Sequence, residues 1–434
     1  MRQREFPRGD FLAPTALLQN ARRLVQIFQR TRNGRGLVYV TLITKVKAIA
    51  KRVSAPVINA REKRQKSGLY GAVHTNIDAA RHLREAAEWL KRAQDYGVDR
   101  GVAYGSDFGQ GFLPSYPETT GYIICTFLRL SEHYQDPDFF NRAVAMGEWE
   151  TAIQMPSGAV MGGVYNSSPT PAVFNTGMVL LGWASLFRKT ADSRFKEAGA
   201  RAAQWLMQMQ EPNGQWIRGN SQFANPRTTV YNVKAAWGLA EMGAALGEDI
   251  WIKAAVLNAE FAISKQLPNG WFNDCCLEDG NCPLLHTIAY TMQGLIGIGK
   301  ISGREEFIEA AARTADALLK LMDANGFIPG KIRRDFRGAV NWCCLTGTAQ
   351  TSIVWSQLEK LLGQKSYAVA AEHANAYLMI RHDINNCDLS IRGGVAGSWP
   401  VWGSYGRFKV LNWATKFFLD ALLERVPISR EMAA

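Results

Sequence analysis

The sequence predicts an all-α fold, an (α/α)6 toroid in which six helical hairpins close into a ring. Three observations predict it. A marker recurs six times at near-constant spacing, a more apolar helix follows each marker, and the series begins and ends on different helix types. Internal repeats of this length are typical of stacked helical hairpins.

The marker is a large apolar residue late in an amphipathic helix, with a polar residue five positions later. Its six copies are Trp89 and Gln94, Trp149 and Gln154, Trp205 and Gln210, Phe261 and Gln266, Leu318 and Asp323, and Tyr377 and His382. Successive copies are 60, 56, 56, 57 and 59 residues apart. Several end at an Asn-Gly turn, where glycine suits the left-handed cap of a helix. We expect these helices to form the outer layer.

The second set of helices is apolar on most sides, which indicates a buried inner layer. These helices begin near Glu118, Asn175, Asn232, His286, Thr346 and Asn412. The first predicted element (77–97) is an outer helix and the last (410–425) is an inner one. They must pair to complete the sixth hairpin, which predicts a closed ring. An open helical-repeat superhelix is the alternative.

The positive charge is concentrated in residues 1–70, ahead of the predicted toroid domain, 71–428. The chain carries a net charge of +12, and the first 70 residues contain 16 Lys or Arg and three acids. Residues 15–31 can form a basic amphipathic helix. Such an arm can lie on an anionic membrane surface, hold an acidic polymer, dock on a partner protein or pack on the toroid. We expect no nucleic-acid partner, because no recognised binding module accompanies the charge.

Targeting signals and cysteine usage favour a cytoplasmic protein, with peripheral membrane attachment left open through the arm. The first residues lack the apolar region of a secretory signal, and no apolar run is long enough to span a membrane. Seven cysteines, an odd number, indicate reduced thiols. Cys275, Cys276, Cys282 and His286 match no zinc-binding spacing. We therefore predict no metal and no cofactor.

The amino-terminal ends of the inner helices should gather at one mouth of the ring, where free N–H groups favour an anionic ligand. Helix starts place Glu118, Tyr122, Asn175, Tyr231, Asn232, His286, Thr346 and Asn412 there. Basic loop residues expected at the mouth include Arg218, Arg333, Arg334 and Arg407. Aromatic loop residues are Tyr104, Tyr165, Trp216, Trp271, Trp399, Trp402 and Tyr405. Aromatic rings pack on sugars and arginines bind carboxylates, which predicts an acidic polysaccharide as partner. The alternative is that the tryptophans only fix the loops to the barrel.

The loop 393–407 combines five glycines, two tryptophans, Tyr405 and Arg407 just before the last inner helix. Glycine permits close approach of the backbone to a ligand. We expect this loop to form part of the site.

Several short motifs resemble a group of known enzymes. The turns from Gln210 to Trp216 and from Gln266 to Trp271, with the polar inner-helix starts, resemble (α/α)6-toroid carbohydrate-active enzymes. That group includes polysaccharide lyases, unsaturated glucuronyl hydrolases and uronyl C5-epimerases. The stretch Tyr405-Gly406-Arg407-Phe408 is similar to one in glucuronyl C5-epimerases. Residues 116–122 and 412–418 resemble an uncharacterised bacterial group associated with polysaccharide clusters.

Two kinds of chemistry remain open on a uronate-containing polysaccharide. Epimerase or lyase chemistry needs a base for the C5 proton, a group that neutralises the sugar carboxylate and a proton donor, for which His286 and Tyr405 are the candidates. Glycoside hydrolysis needs two carboxylates. Glu118 is one candidate, with a pKa lowered by its helix start, and Asp107, Asp274, Glu278, Asp279 and Asp335 are the others. A non-catalytic glycan-binding or polysaccharide-assembly protein is the alternative from another class.

Overall fold

Twelve α-helices form the part of the chain that the structure describes, and they alternate between two concentric layers. The computed structural model describes residues 77–425 except 166, 222, 223, 228 and 278. The helices are α1 (Ala79–Asp95), α2 (Pro117–Tyr134), α3 (Pro137–Ala152), α4 (Val173–Thr190), α5 (Ser193–Met209), α6 (Val233–Leu246), α7 (Asp249–Ser264), α8 (Leu285–Ser302), α9 (Glu305–Leu321), α10 (Leu345–Leu362), α11 (Lys365–Met379) and α12 (Asn412–Leu423). The predicted (α/α)6 toroid is confirmed. The basic arm lies outside the described residues, so the domain boundary near residue 71 stays a prediction.

The even-numbered helices form the inner layer and the odd-numbered helices surround them. In α8 every residue from Leu285 to Gly299 is buried, because this helix packs on neighbours in both directions and on its outer partner. The outer helix α5 instead buries one face, which includes Phe195, Ala202 and Trp205. This difference follows from the hydrophobic pattern that distinguishes the two helix types in the sequence.

The links between helices differ in length at the two ends of the ring. At the end that we call the base, an inner helix turns directly into the next outer helix. For example, α4 ends at Thr190 and α5 begins at Ser193, where Asp192 caps it by accepting a hydrogen bond from the Arg194 N–H. At the opposite end, the mouth, long loops connect outer helices to inner ones. All amino-terminal ends of the inner helices therefore face the mouth.

A turn glutamine explains why the marker recurs at fixed spacing. The Nε2 of Gln210 donates to the Gly214 carbonyl oxygen at 3.1 Å and to the Ala254 carbonyl oxygen at 2.9 Å. The first bond closes the turn after α5, and the second reaches α7, the next outer helix. Equivalent bonds to the next outer helix are made by Gln94, Gln154 and Gln266. The four glutamine copies of the marker therefore tie their turns to the following outer helix.

The last repeat closes the ring against the first helix. Helix α12 packs on α10 and α2 within the inner layer and on α1 in the outer layer. In this seam, Nδ1 of His382 lies 2.8 Å from Nδ1 of His82 on α1, and Nε2 of His382 bonds the Gly393 carbonyl oxygen at 2.7 Å. The predicted pairing of the first and last helices is confirmed, and the open superhelix is excluded.

Short antiparallel strands hold the mouth loops together. In the described chain they are β1 (Gly105–Asp107), β2 (Gly111–Phe112), β3 (Met161–Gly162), β4 (Thr170–Pro171), β5 (Cys343–Cys344), β6 (Ser398–Trp399) and β7 (Lys409–Leu411). They form the sheets β2–β1–β7, β3–β4 and β5–β6. Ser106 of β1 pairs with Val410 of β7, which joins the first mouth loop to the last. Among the described helices, none is long and apolar enough to cross a membrane.

Glycines in the mouth turns allow close contact with the next outer helix. Gly270 has φ +89°, and a Cβ placed on it would lie 2.7 Å from the Arg313 carbonyl oxygen of α9. Gly393 occupies the same kind of position at the seam, with φ +85° against Glu85 of α1. Real Cβ atoms do not approach backbone oxygen this closely. A side chain at either position would therefore force two adjacent outer helices apart.

Replacing Gly270 with alanine should destabilise the protein more than the same change at Gly363. Gly363 caps α10 with φ +71°, and its surroundings are open, so G363A should cost about 1–2 kcal/mol from backbone conformation alone. G270A adds the contact with Arg313 and should cost about 3 kcal/mol or more. Denaturant unfolding of both variants measures the difference. Equal costs would show that the turn does not brace the next helix.

Candidate active site

A cavity of about 380 Å³ opens among the amino-terminal ends of the inner helices at the mouth. The described residues that line it are mostly aromatic or polar: Tyr104, Tyr116, Glu118, Gly163, Val164, Ser167, Phe174, Asn175, Ser221, Ala224, Tyr231, Leu277, His286, Thr287, Tyr290, Tyr405 and Trp413. Five of the predicted site residues are among them, namely Glu118, Asn175, Tyr231, His286 and Tyr405. The predicted position of the site, at the helix starts, therefore agrees with the position of this cavity.

Two groups of aromatic rings form the cavity walls. On one side, the ring of Tyr104 lies 4.7 Å from that of Trp413 and 5.4 Å from that of Tyr116. On the other side, the ring of Phe174 lies 5.4 Å from Tyr231 and 4.9 Å from Tyr290. Aromatic faces of this kind suit the apolar faces of sugar rings.

Glu118 is the acid of the cavity, and its environment keeps it protonated. Burial raises the pKa of Glu118 to about 7, even though a hydrogen bond from the Tyr116 hydroxyl at 2.9 Å favours the ionised form. The expectation of a lowered pKa at a helix start was wrong, because desolvation outweighs the helix dipole here. Glu118 is thus suited to donate a proton or a hydrogen bond near neutral pH.

His286 is the base of the cavity, and it is neutral near pH 7. Burial lowers the pKa of His286 to about 4, and the positive charge of Lys234 lowers it further, while a hydrogen bond to Gln350 raises it. Nδ1 of His286 lies 2.6 Å from Oε1 of Gln350. The amide oxygen can only accept, so Nδ1 carries the proton and Nε2 keeps its lone pair. An imidazole in this tautomer can accept a proton at Nε2.

A chain of side chains continues from His286 along the axis of the barrel. Nε2 of Gln350 donates to Oε1 of Gln293 at 3.4 Å, and Nζ of Lys234 donates to the same oxygen at 3.1 Å. An ammonium group has no acceptor, so a charged Lys234 orients both amides and, through them, the tautomer of His286. The base at the mouth is therefore linked to a lysine deep in the barrel.

Tyr405 adds a second proton donor beside His286. Its ring centre lies 5.4 Å from that of His286, and its hydroxyl oxygen accepts a hydrogen bond from Trp413 Nε1 at 2.8 Å. Burial raises the pKa of Tyr405 well above its usual range, so the phenol keeps its proton. Within the loop 393–407, Tyr405 is the residue that lines the cavity. Gly393 instead contacts α1 at the seam, and the rest of this loop does not line the cavity.

Three other predicted polar residues have different positions from those expected. Tyr122 is buried one turn deeper and lines a separate cavity towards the base. The amide nitrogen of Asn232 donates to Asn220 at 3.0 Å, away from the mouth cavity. The amide nitrogen of Asn412 donates to the Ala103 carbonyl oxygen at 2.9 Å and so fixes the loop that carries Tyr104. None of these three therefore lines the mouth cavity, and the two asparagines instead make hydrogen bonds within the protein.

The predicted arginines do not line the cavity. Arg218 pairs with Glu211 at 3.1 Å and is exposed. Arg333 and Arg334 lie together in a separate, open depression on the surface. Arg407 is exposed beside the ring of Phe408. Among the described lining residues there is no Lys or Arg, so ligand binding by these arginines stays a prediction.

The buried tryptophans of the predicted set fix loops to the barrel, which was the alternative to sugar binding. Trp271 is 2% exposed and packs edge-on to Phe336 with ring centres 5.8 Å apart. Trp399 is buried in β6, and Trp402 is exposed outside the cavity. These rings recur in the sequence because each repeat must fix its own loop to the barrel.

Four aromatic lining residues, Tyr116, Phe174, Tyr290 and Trp413, were not predicted as site residues. Each lies close in the sequence to a predicted site residue. Phe174 and Trp413 adjoin two predicted helix starts, and Tyr116 lies two positions before Glu118. Tyr290 is one helical turn after His286, so both face the same direction.

The paired cysteines are buried thiols. Cys275 Sγ lies 3.1 Å from the hydroxyl of Thr291, and Cys343 Sγ lies 3.1 Å from that of Thr348. Burial raises the pKa of Cys275 to about 12 and that of Cys343 to about 11, which disfavours the thiolate needed for metal binding. Across residues 77–425, apart from the gaps, no three metal-ligand side chains come together.

No family model matches the chain, and the search of curated proteins found no match. Solved structures do resemble it. A heparin-specific unsaturated glucuronyl hydrolase has a TM-score of 0.63 at 16% identity, covering 80% of this chain and 97% of that chain. An unsaturated glucuronyl hydrolase from Bacillus sp. GL1, responsible for glycosaminoglycan degradation, has a TM-score of 0.62 at 14% identity, covering 80% and 96%. Cellobiose 2-epimerase from Bacillus thermoamylovorans B4167 has a TM-score of 0.64 at 8% identity, covering 80% and 98%.

The chain has the fold of these carbohydrate-active enzymes. The resemblance to (α/α)6-toroid enzymes suggested by the sequence motifs is thereby confirmed at the level of fold. The match spans nearly the whole of each similar chain and leaves about a fifth of this chain outside it, which is close to the share of the basic arm.

Replacing Glu118 with glutamine should stabilise the protein at alkaline pH. The folded state holds a proton on Glu118 up to about pH 7, whereas the unfolded state releases it near the usual pKa of a glutamate, 4.5. The wild-type protein therefore loses stability as pH rises through this window, and E118Q does not. The stability gap between the two should widen by about 2–3 kcal/mol between pH 4 and pH 8.

Denaturant unfolding at several pH values measures this gap. The variant E197Q, which changes an exposed carboxylate on α5, is the matched control and should track the wild type. A gap between E118Q and wild type that stays constant with pH would mean that Glu118 is ionised in the folded protein.

Proposed function

We propose that this protein is a carbohydrate-active enzyme that removes the C5 proton of a uronate residue in an acidic polysaccharide, most consistent with a C5-epimerase. One observation carries the proposal. A protonated carboxyl group, Glu118, and an unprotonated imidazole, His286, line the same aromatic cavity. Paired titratable groups whose pKa values are driven apart are the usual sign of an acid and a base.

The cavity supports a sugar as substrate. Its volume of about 380 Å³ lies in the lower part of the range for small-molecule sites and suits one or two sugar rings. The ring pairs of Tyr104 with Trp413 and of Phe174 with Tyr231 offer faces for the sugar. A uronate is further supported by the glucuronyl hydrolases among the similar structures.

Each step of the reaction has a candidate residue. Nε2 of His286 takes the C5 proton, and the negative charge moves onto the sugar carboxylate. The neutral acid of Glu118, which accepts a hydrogen bond from the Tyr116 hydroxyl, donates a hydrogen bond to that carboxylate in place of the arginines expected from the sequence. A proton then returns to C5, for which the Tyr405 phenol beside His286 is the candidate donor, and its return to the opposite face inverts the centre.

A bound uronate would also make His286 a stronger base. Nearby negative charge favours the protonated imidazole, which raises the pKa of a histidine. The low pKa of His286 in the free protein thus reflects burial without a ligand, and the substrate itself offsets part of that effect. β-Elimination differs only in its last step, because the group at C4 departs instead of a proton returning to C5.

Glycoside hydrolysis is the second candidate, and the raised pKa of Glu118 favours it as a general acid. The standard mechanism needs a second carboxylate at the scissile bond. Asp107 pairs with Lys409, Asp274 with Lys265 and Asp335 with Arg337, and none of the three lines the cavity. Asp279 also lies outside the lining, and Glu278 lies outside the described residues. C5-proton abstraction therefore gives a role to more of the residues that line the cavity.

Other sequence predictions remain open beside this proposal. The non-catalytic glycan-binding role is separated from catalysis by the variants below, since a binding protein needs no base. Contact of the basic arm with a membrane surface or a partner protein, and a cytoplasmic location, stay predictions.

The proposed reaction should have a bell-shaped pH profile. kcat/KM should rise as His286 loses its proton above about pH 4 and fall as Glu118 ionises above about pH 7. E118Q should lose the alkaline limb and at least roughly 100-fold in rate, and H286N should lose the acidic limb. R218Q, which changes an exposed arginine outside the cavity, is the control and should keep full activity. Equal loss in R218Q would place the active site elsewhere.

Incubation with a panel of uronate-containing polysaccharides in heavy water tests the reaction itself. Deuterium entering C5 without new ultraviolet absorbance identifies an epimerase, and absorbance of a new C4–C5 double bond identifies a lyase. New reducing ends without either signal identify a hydrolase. Binding of a polysaccharide without any of these three signals would contradict catalysis and favour the glycan-binding role.

A further inference from the structure

A second cavity lies at the base of the ring, at the far end of the inner helices from the candidate active site. Its volume is about 220 Å³, and every inner helix contributes to its wall. One residue from each helix is Tyr122, Leu181, Lys234, Gln293, Ile353 and Lys416. At the rim, the Arg188 side chain is 40% exposed, so the cavity reaches solvent.

Most charges in this basal cavity are paired. Arg129 bonds Asp420 and Glu424, Arg188 bonds Glu241, and Lys416 bonds Asp420 at 2.5 Å. Positive groups near the carboxyl-terminal ends of helices are also stabilised by the helix dipoles. These two effects explain the basic residues at the rim without any ligand.

Within the described part of the chain, Lys234 has neither a carboxylate partner nor a stabilising helix end. It is the second residue of α6, so it lies far from the carboxyl-terminal helix end, where a dipole would stabilise a positive charge. Its Nζ donates to the neutral Gln293 at 3.1 Å and lies 4.0 Å from the ring of Trp237, and no carboxylate pairs with it among the described residues. The side chain is only 3% exposed.

An unpaired ammonium in this position is costly. Removing a charged lysine from water is unfavourable unless an opposite charge comes close. Burial and the positive charge of Lys416 lower the pKa of Lys234 well below its usual range, and the negative charges of Asp420 and Glu241 offset only part of this, so the free protein disfavours the charged form. An anion in the cavity would reverse this by supplying the missing counter-charge.

We propose that the basal cavity is a second binding site, which holds a small oxyanion such as a carboxylate or a phosphate on Lys234. The remaining carboxylates of the cavity already have basic partners, so Lys234 is the group left to bind it. The volume of about 220 Å³ limits the ligand to inorganic ions and molecules up to about the size of one sugar. Anion binding at this site does not depend on which reaction takes place at the mouth.

Occupation of this site would act on the mouth through the side chains along the axis. An anion favours the charged form of Lys234, which can only donate to Gln293. Gln293 then accepts from Gln350, and Gln350 accepts from Nδ1 of His286. The bound oxyanion thereby holds His286 in the tautomer that leaves Nε2 free.

Calorimetric titration of the full chain with inorganic phosphate, and separately with glucuronate, tests the site. Binding with a Kd of about 1 mM or tighter is expected for at least one of them, and glucose, which has no charge, should not bind at the base. K234M should weaken binding at least roughly tenfold, since the main charged contact is lost. K234R keeps the charge and should bind more tightly than K234M. K189M, which changes an exposed lysine on α4, is the matched control and should bind like wild type.

The variant E118Q separates the two cavities. It changes only the mouth, so phosphate binding should be unchanged in E118Q. Binding that is lost in E118Q but kept in K234M would place the anion at the mouth and overturn the proposal. Circular dichroism of K234M checks its fold, and K234R provides the comparison if K234M is unfolded. The absence of binding of either anion to the wild-type protein would also overturn it.

Discussion

Contact between each mouth turn and the next outer helix is the constraint on which this structure depends. A glutamine such as Gln210 closes its own turn and bonds the following outer helix, and a glycine such as Gly270 lets the two backbones touch. Together they hold neighbouring hairpins in contact, and the packing of α12 on α1 closes the ring. Closure in turn buries the inner helices on all sides, as in α8. The cavities at the two ends exist because the ring leaves its axis incompletely filled.

Burial on the axis also decides the chemistry of the site. Burial disfavours the charged forms of Glu118 and His286, so His286 is neutral near pH 7 and Glu118 holds its proton to a pH well above its usual range. The same exclusion keeps the phenol of Tyr405 protonated. The cavity therefore offers neutral hydrogen-bond donors and one neutral base. The folded protein holds the carboxyl group of Glu118 in its neutral form, because ionisation of Glu118 inside the cavity would be unfavourable.

The sequence predicted the ring well, because the marker spacing reports a contact made in every repeat. It also predicted that helix starts such as those at Glu118 and His286 form the mouth. It could not predict which loop side chains turn inward. Arginines such as Arg218 remain solvated, since nothing in a loop sequence separates a basic side chain that lines a cavity from one that faces water. The pKa of Glu118 was predicted in the wrong direction, because its burial depends on Tyr104 and Tyr290, which come from distant segments.

The seam between the last and first helices uses different residues from the other junctions of the ring. Its histidine pair, His82 and His382, replaces the glutamine bond used elsewhere, but the packing of α12 on α1 serves the same purpose as the other junctions. The described toroid begins at α1 and ends at α12, with both ends at the base. No backbone segment of the toroid links α12 to α1, so packing and hydrogen bonds alone close the ring at this junction. A circular permutant that joined these ends and opened a base turn, such as that between Thr190 and Ser193, would retain every helix contact.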